Sequence, residues 1–488
     1  MGLLDLKIEI EQGRRWKGRN ERLEKLKSEQ TKPQPIPPNS NSTTGSSSKD
    51  GNQQPPSQYM DVELYNAATM DTDDVDAFIE VLERVAAKKG YAFEDIFQRV
   101  SPTGNTLLHL AASHLNENIV RLILYHCPSL LMKQNQKGDT ALHLAVRSNA
   151  SRIANIKDEI IWGWGSVINT LLRFREDWLD PLAGDEGIEE VRALPDEFKL
   201  LRIRNEKGNT ALHEAFINQQ EGMFLEGAQF ALIEGDPEVS YFLNAEGESP
   251  LYLAAEAGYK NNVSSMLSDY HDFEIQNKED RLKGKSPLQA AIMRKDKDLM
   301  VAILENEPRF INKRDEQGRI PLHIAASLGY TKEVQYLLAK YPGGVVERDS
   351  SGLFPIHLAA IQGHIEVIED ILKLFPVPRV MVNHKGQNIL HLAVLHGKHE
   401  VINYVAGNRS LKSLIDQRDL DGKVPLQLVA SVNGETRTTL SQDKKMDLKI
   451  VSKRFTALTA AQHFKETLVP AKVNQRRKVT CWRFACCK

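Results

Sequence analysis

The segment Arg314-Asp-Glu-Gln-Gly-Arg-Ile-Pro-Leu-His-Ile-Ala-Ala, residues 314–326, decides the fold, because its last seven residues are one copy of a recurring phrase. Successive copies of the phrase start 34, 70, 39, 37, 34, 34, 34 and 36 residues apart. A fixed period of this size indicates a stack of repeated structural units. The nine copies begin at Thr106, Thr140, Thr210, Ser249, Ser286, Ile320, Phe354, Asn388 and Val424.

A turn signal precedes most copies of the phrase. Asp, Asn or Ser stands three residues before a Gly, and this spacing favours a β-turn because the first side chain can bond the turn backbone. Thr or Ser then suits a helix N-cap and Pro suits the first helical position. The eight turns are Ser101 to Gly104, Asn135 to Gly138, Asn205 to Gly208, Asn244 to Gly247, Asp315 to Gly318, Asp349 to Gly352, Asn383 to Gly386 and Asp419 to Gly422.

A second helix completes each unit. Glycines follow the first helix at Gly258, Gly329, Gly363 and Gly397, and Gly tolerates the left-handed conformation that ends helices. Paired aliphatic residues come next, as in the stretch 334–338. One such unit cannot bury its apolar face alone, so stacking must supply the core.

The phrase, its turn and its period resemble those of ankyrin repeats over residues 59–462. The resemblance implies an all-α ankyrin-repeat solenoid, in which helix–turn–helix units with β-turn tips are stacked. We expect five regions. They are a charged helical segment at 1–30, a disordered Pro- and Ser-rich linker at 31–57, an N-terminal capping repeat at 58–100, the array at 101–462 with an insertion at about 150–200, and a basic cysteine-containing tail at 463–488.

Composition narrows the class of protein. Lys and Arg total 63 against 65 for Asp and Glu, so no global basic field attracts nucleic acid, and we expect no direct contact with it. No stretch approaches 18 consecutive apolar residues, so the sequence predicts no transmembrane helix. Four cysteines, three of them after residue 480, do not form a disulfide framework. We therefore expect a reducing, cytoplasmic setting.

Histidine is frequent, but its positions indicate a structural role. Six of the fourteen histidines occupy the same slot of the phrase, where each is expected to bond turn backbone of its own or a neighbouring repeat. Stacked slots lie one repeat apart, too far for shared metal ligation. No nucleophile, base and orienting group recur together, and no phosphate-binding loop is present. The sequence therefore predicts no catalytic residue, no metal site and no cofactor.

The doubled interval between Thr140 and Thr210 contains about one surplus repeat length. It holds Trp162, Trp164 and Trp178, and residues 176–197 include nine acidic residues against one basic residue. One interpretation is a binding loop with aromatic anchors and an acidic rim. The other is that residues 168–172 complete an ordinary second helix and the remainder is a solvated loop.

Several segments resemble plant ankyrin proteins of the accelerated-cell-death type. They are Leu64-Tyr-Asn-Ala-Ala, the 314–326 segment, Gly363-His-Ile-Glu-Val-Ile and Met446-Asp-Leu-Lys. The resemblance implies an array on the cytoplasmic side of a membrane, anchored by C-terminal transmembrane helices, with a role in salicylic-acid-dependent defence and regulated cell death. The chain departs from this pattern after Phe464, where a short basic tail stands in place of the hydrophobic helices and their Pro-Gly-Gly signature.

The sequence thus favours a non-enzymatic scaffold that binds protein partners, in plant defence or stress signalling. Its expected location is the cytoplasm, including the cytoplasmic face of the plasma membrane. Two alternatives stay open: a regulator that enters the nucleus and masks a transcription factor, and a membrane-associated protein whose transmembrane part is missing here. Besides the three tryptophans, the candidate partner-binding residues are the turn-tip residues Gln136, Lys137, Glu206, Lys207, Glu316, Gln317, Ser350, Ser351, His384 and Lys385.

Overall fold

The computed structural model describes residues 3–30, 59–70, 72–153, 167–168, 170–171, 197–218, 226–268 and 283–428. The expected linker, most of the insertion and everything after residue 428 lie outside these ranges. The chain divides into two compact units, with the boundary between Phe310 and Ile311. Within the described ranges the chain forms helices and turns and one isolated β-bridge, between Tyr59 and Val100. The all-α fold predicted from the sequence is confirmed.

Fourteen helices of the first unit have described bounds. They are α1 (Leu3–Gln30), α2 (Val62–Ala68), α3 (Val75–Lys89), α4 (Phe93–Gln98), α5 (Leu107–Ser113), α6 (Glu117–His126), α7 (Ala141–Ile153), α8 (Glu197–Arg202), α9 (Ala211–Ile217), α10 (Glu226–Gly235), α11 (Pro250–Ala257), α12 (Lys260–Ser268), α13 (Pro287–Met293) and α14 (Lys297–Asn306). Short 3₁₀ helices follow three of them, at Pro128–Met132, Pro237–Tyr241 and Pro308–Asn312.

The second unit contains six helices in its described part. They are α15 (Pro321–Leu328), α16 (Thr331–Lys340), α17 (Pro355–Gln362), α18 (Ile365–Leu374), α19 (Ile389–Leu395) and α20 (His399–Gly407). Its 3₁₀ helices are Pro342–Val346, Pro378–Val380 and Arg409–Leu414.

Within each unit, like helices pack on like helices. First helices form one layer, in the order α5, α7, α9, α11 and α13 in the first unit and α15, α17 and α19 in the second. Second helices form the other layer, as α10, α12 and α14 and as α16, α18 and α20. The alanines that end the first eight phrases are buried, as at Ala325 and Ala326. Their small side chains let the layers approach closely, which is the stacking that the period predicts.

The predicted β-turns are present in all eight repeats that carry the turn signal. In each, the N–H of the Gly donates to the carbonyl of the turn former, as from Gly138 to Asn135 at 3.0 Å. The Asn135 side chain accepts from the N–H groups of Lys137 and Asp139 at 2.9 and 3.0 Å. Gly138 adopts φ +73°, a conformation that Gly reaches without steric cost. Asn135 and Gly138 therefore have the two roles that the spacing predicted: the Asn side chain bonds the turn backbone, and the Gly adopts a positive φ.

The phrase histidines join neighbouring repeats, as expected. Thr106 donates its N–H to Nδ1 of His109 at 3.3 Å, so Nε2 carries the proton and donates to the carbonyl of Asp139 in the next repeat, at 3.0 Å. The same pair of bonds occurs at His143, His213, His323, His357 and His391. Where the slot holds Gln427, its Oε1 accepts from the N–H of Val424 at 3.0 Å and reproduces the first bond.

The repeats that begin at Thr140 and Thr210 are direct neighbours. His143 donates to the carbonyl of Asn209 at 3.1 Å, and α7 packs against α9. The two repeats therefore stack directly, although their phrases start 70 residues apart. Ile168 and Leu171 are helical and buried, as the second-helix interpretation of this stretch requires. Trp162, Trp164 and Trp178 lie outside the described residues.

Candidate partner-binding groove

The turn tips of each unit are joined by backbone hydrogen bonds. The N–H of Glu206 donates to the carbonyl of Lys137 at 2.9 Å, and the N–H of Ala245 donates to Lys207 at 3.0 Å. In the second unit the same bond links Ser350 to Gln317 at 2.9 Å. These bonds form a backbone ladder, which fixes the main chain of the tips and leaves their side chains to differ from repeat to repeat.

All ten candidate tip residues are exposed, yet their side chains are not equivalent. The first residue of a tip pair often lies against the Gly of the preceding turn, as His384 lies on Gly352 and Ser350 on Gly318. A side chain at either Gly would collide with them. The second residue of the pair does not lie against a turn Gly, as at Lys137, Lys207 and Lys385. We therefore expect partner contacts at this second position.

In the first unit, the tips border a groove of about 1100 Å³ lined by the first helices α7, α9 and α11. Its tip side is formed by residues such as Lys137, Glu206, Lys207 and Glu246. Concave surfaces of this kind are the usual place where a protein receives a ligand or a partner segment. The groove brings three sequence-predicted residues together: Lys137, Glu206 and Lys207. Gln136 is outside the lining, and its N–H donates to the carbonyl of Thr103 in the preceding turn at 3.3 Å.

A buried charge network forms the floor of the groove. Arg147 donates to Asp139 through Nη1 and Nη2 at 3.1 and 3.2 Å, and to Glu214 through Nε at 3.2 Å. The side chains of Asp139 and Glu214 are only 1% and 5% exposed. Asn205 bridges the two carboxylates, with bonds of 2.9 and 3.0 Å. The network links side chains of two repeats and makes the floor rigid.

Both floor carboxylates are held in the ionised form. Burial acts to raise the pKa of Glu214, but hydrogen bonds from Asn209, Asn218 and Asn205 and the charge of Arg147 outweigh it, so the pKa lies below its ordinary value. Burial likewise opposes ionisation of Asp139, and its bonds to Arg147 and Asn205 again leave the pKa lowered. Two negative charges therefore face one guanidinium, and the floor is net negative.

The side of the groove combines an aromatic wall and an acidic rim. The rings of Phe216 and Tyr259 stack with centroids 6.0 Å apart, and Ile217 beside them is 47% exposed. Glu246 and Glu256 are exposed at the rim. A partner segment can therefore make apolar contacts with the wall and charged contacts with the rim.

The floor network was not predicted from the sequence. One signal was present: Glu214 is the only charged residue among the nine that directly follow the histidine slot of the phrase, where the others are aliphatic or Ala. Arg147 and Asp139 carry no signal of their own. Among the described residues, no group of three or more His, Cys, Asp or Glu side chains is arranged to hold a metal ion.

The repeated units with β-turn tips, capped helices and bridging histidines are ankyrin repeats. A model of the ankyrin-repeat family matches residues 75–156 and 251–347. Over 252 residues the chain is 28% identical to Protein ACCELERATED CELL DEATH 6 of Arabidopsis thaliana. The aligned part is 50% of this chain and 34% of that protein, so the chain spans about a third of the relative's length. No helix in the described ranges is both long and apolar enough to cross a membrane.

Proposed function

We propose that this chain is a non-enzymatic scaffold that binds protein partners through the groove of its first unit and the second tip residues of both units. The observation that carries the proposal is a rigid, concave surface whose rim side chains are exposed while the ladder fixes their backbone. A preformed surface loses little conformational freedom on binding, so its contacts contribute fully to affinity. Ankyrin arrays usually act in this way.

The lining of the groove indicates the chemistry of a partner segment. The lining residues include six acidic and four basic side chains. A matching segment would place acidic side chains at Lys137 and Lys207 and basic ones at Glu246 and Glu256. An apolar side chain of the same segment would lie against Phe216 and Ile217. Charge of this kind governs specificity and association rate more than affinity.

The biological setting we propose is plant defence or stress signalling, on the strength of the similarity to Protein ACCELERATED CELL DEATH 6. The proposed location is the cytoplasm, at the cytoplasmic face of the plasma membrane. The nuclear and membrane-associated alternatives differ from it in an observable way. Fractionation of plant cells that express the 488-residue chain separates the three, because each predicts a different fraction: cytosol with reversible membrane association, nucleus, or detergent-extractable membrane.

The binding surface is tested by reversing charge at two tips. The variant Lys137→Glu/Lys207→Glu alters second tip residues in the groove, whose side chains are exposed. The matched control is Lys297→Glu/Lys332→Glu, which makes the same charge change at exposed positions in the first turns of α14 and α16. Each tagged protein is used to capture partners from plant leaf extract, and the captured proteins are quantified by mass spectrometry.

We expect partners that bind the wild type and the control to be lost from the tip variant, at least about 10-fold, which is ~1.4 kcal/mol of binding free energy. The melting temperature should be equal in all three proteins, because the ladder is made by main-chain atoms. If the tip variant retains the wild-type partners while the control loses them, partners bind the second helices and the proposal is wrong.

A further inference from the structure

The N-terminal helix α1 packs against the first unit along one face. In the part of α1 whose side chains are described, the buried or half-buried residues include Arg19, Arg22, Leu23 and Leu26. Lys17, on the opposite side of the helix, is exposed. A spacing of three and four residues places the buried set on one stripe of a helix. This stripe contacts α3 and α4, so α1 is seated on the N-terminal repeat, not on the groove.

Two arginines of α1 bind two carboxylates of α3 in matching geometry. Arg19 donates through Nε and Nη2 to Asp76 at 2.9 and 2.6 Å. Arg22 donates through Nε and Nη2 to Glu83 at 3.1 and 2.7 Å. Bidentate pairs of this kind fix orientation as well as energy. The two arginines lie three residues apart and the two carboxylates seven, so the contacts set the helix register.

The charges of the two partners are complementary beyond these pairs. Residues 14–27 of α1 contain seven basic and two acidic side chains. Residues 73–83, at the start of α3, contain five acidic side chains and no basic one. The α3 face therefore attracts a basic helix at long range and then selects it by the two bidentate pairs.

An apolar contact lies beside the charges. Leu23 is fully buried, and so are Phe93 and Phe97 of α4, at 3% and 0% exposure. His126 at the end of α6 packs edge-on to Phe93, with ring centroids 5.7 Å apart. Its Nδ1 lies 3.4 Å from Oε1 of Glu24 in α1. The face that α1 covers thus combines an acidic side with an aromatic side.

The ion pairs between α1 and α3 are partly open to water. Asp76 is 54% exposed and Arg22 is 40% exposed in their pairs, and exposed ion pairs are screened by water and salt. Nε2 of His126 is buried without a hydrogen-bond partner, which makes covering this residue unfavourable. Over residues 15–28, the part of α1 whose burial is described, Leu23 is the one fully buried side chain. A competing helix therefore has little apolar contact to replace there.

We propose that the face formed by α3, α4 and the end of α6 is a binding site for a basic amphipathic helix, and that α1 occupies this site as an internal ligand. A partner helix must displace α1 to bind. Its chemistry follows from α1: two arginines three residues apart, with a leucine directly after the second. The site is separate from the groove, so it adds a second, self-blocked interaction surface to the scaffold.

Binding of a peptide to the full-length chain tests this proposal. The probe is a fluorescein-labelled peptide with the sequence of residues 3–30, followed by fluorescence anisotropy. In the variant Arg19→Glu/Arg22→Glu, the altered α1 is repelled by Asp76 and Glu83 and the site is free. We expect this variant to bind the probe at least about 10-fold more tightly than the wild type, since an occupied site reduces apparent affinity by the fraction that is open.

Two controls separate the site from a general charge effect. Lys17→Glu/Lys25→Glu changes the charge of α1 equally, but on its exposed side, and should bind the probe as weakly as the wild type. A second peptide, carrying Arg19→Glu and Arg22→Glu, should bind the chain with Asp76→Arg and Glu83→Arg and should not bind the wild type. Equal probe binding by the wild type, the control and the released variant would overturn the proposal. Failure of the second peptide on the charge-swapped chain would overturn it as well.

Discussion

Replacing Arg147 by Met is the sharpest perturbation of the groove floor. The methionine keeps much of the side-chain volume but leaves Asp139 and Glu214 without the guanidinium that lies 3.1 Å from each of them. Removing one partner of a buried ion pair typically costs ~3–5 kcal/mol, because the remaining charge stays buried. Arg147 is itself 32% exposed, so water weakens the effect, and we expect a loss of about 2–3 kcal/mol.

Urea unfolding followed by circular dichroism measures this loss. The two compact units can unfold in separate steps, so the transition that shifts should be the one assigned to the first unit. Arg121→Met is the matched control, because Arg121 makes an exposed pair with Glu117 at 2.9 Å within α6. Exposed pairs of this kind contribute about 0.3–0.5 kcal/mol. If Arg147→Met costs no more than Arg121→Met at pH 7, the floor network does not act as described.

The pH dependence of the loss provides a second check. In the wild type the pKa values of Asp139 and Glu214 are lowered, so their stabilising effect is present at neutral pH and is lost as the pH falls through those lowered values. Without Arg147, burial is opposed mainly by the asparagine hydrogen bonds, so both pKa values should be higher than in the wild type and the variant should take up protons at higher pH. The stability gap between the two proteins should therefore narrow steadily from pH 7 towards pH 4.

Two further predictions concern the repeats themselves. Burial lowers the pKa of His109 and of His213 to about 4, below the unfolded value near 6.5. The free energy of unfolding therefore falls as the pH drops from about 6.5 to 4, by about 2 kcal/mol per histidine at pH 5. The variant His213→Gln, compared with the wild type in thermal melts at pH 7 and pH 5, should show a smaller fall, and an unchanged pH dependence would contradict the assignment. Gly208→Ala should cost ~2–3 kcal/mol, because its φ is +75° and a Cβ would lie 2.9 Å from the backbone N of Ala245. Gly247→Ala, with φ +73° and no atom near the Cβ, should cost about 1 kcal/mol, and equal losses would show that contact between the tips is unimportant.

Local signals made the repeats predictable. The turn at Asp315 to Gly318 depends on residues within four positions, and the bond from Ile320 to His323 lies within one helix turn. Such interactions are repeated in every unit, so one sequence already contains several copies of the evidence. The partner of His323 in the next repeat, Leu353, follows from the period once stacking is assumed.

The groove floor and the α1 contact could not be read from the sequence in the same way. Asp139 and Glu214 are 75 residues apart and meet only because the insertion leaves their repeats adjacent. Residues 1–30 have the composition of a charged helix, but that composition does not specify where a helix docks. The complementary charges of 14–27 and 73–83 could have indicated it, had the two segments been compared directly.

Hydrogen–deuterium exchange of the full chain, measured with and without a captured partner, shows whether partners bind the concave side of the first unit. Binding at the groove predicts slower exchange of backbone amides in the tips and first helices, at residues 136–147 and 205–217, with no change in the second helices α12 and α14. Slower exchange confined to α12 and α14, with the tips and first helices unchanged, would show that partners bind the second helices and not the groove.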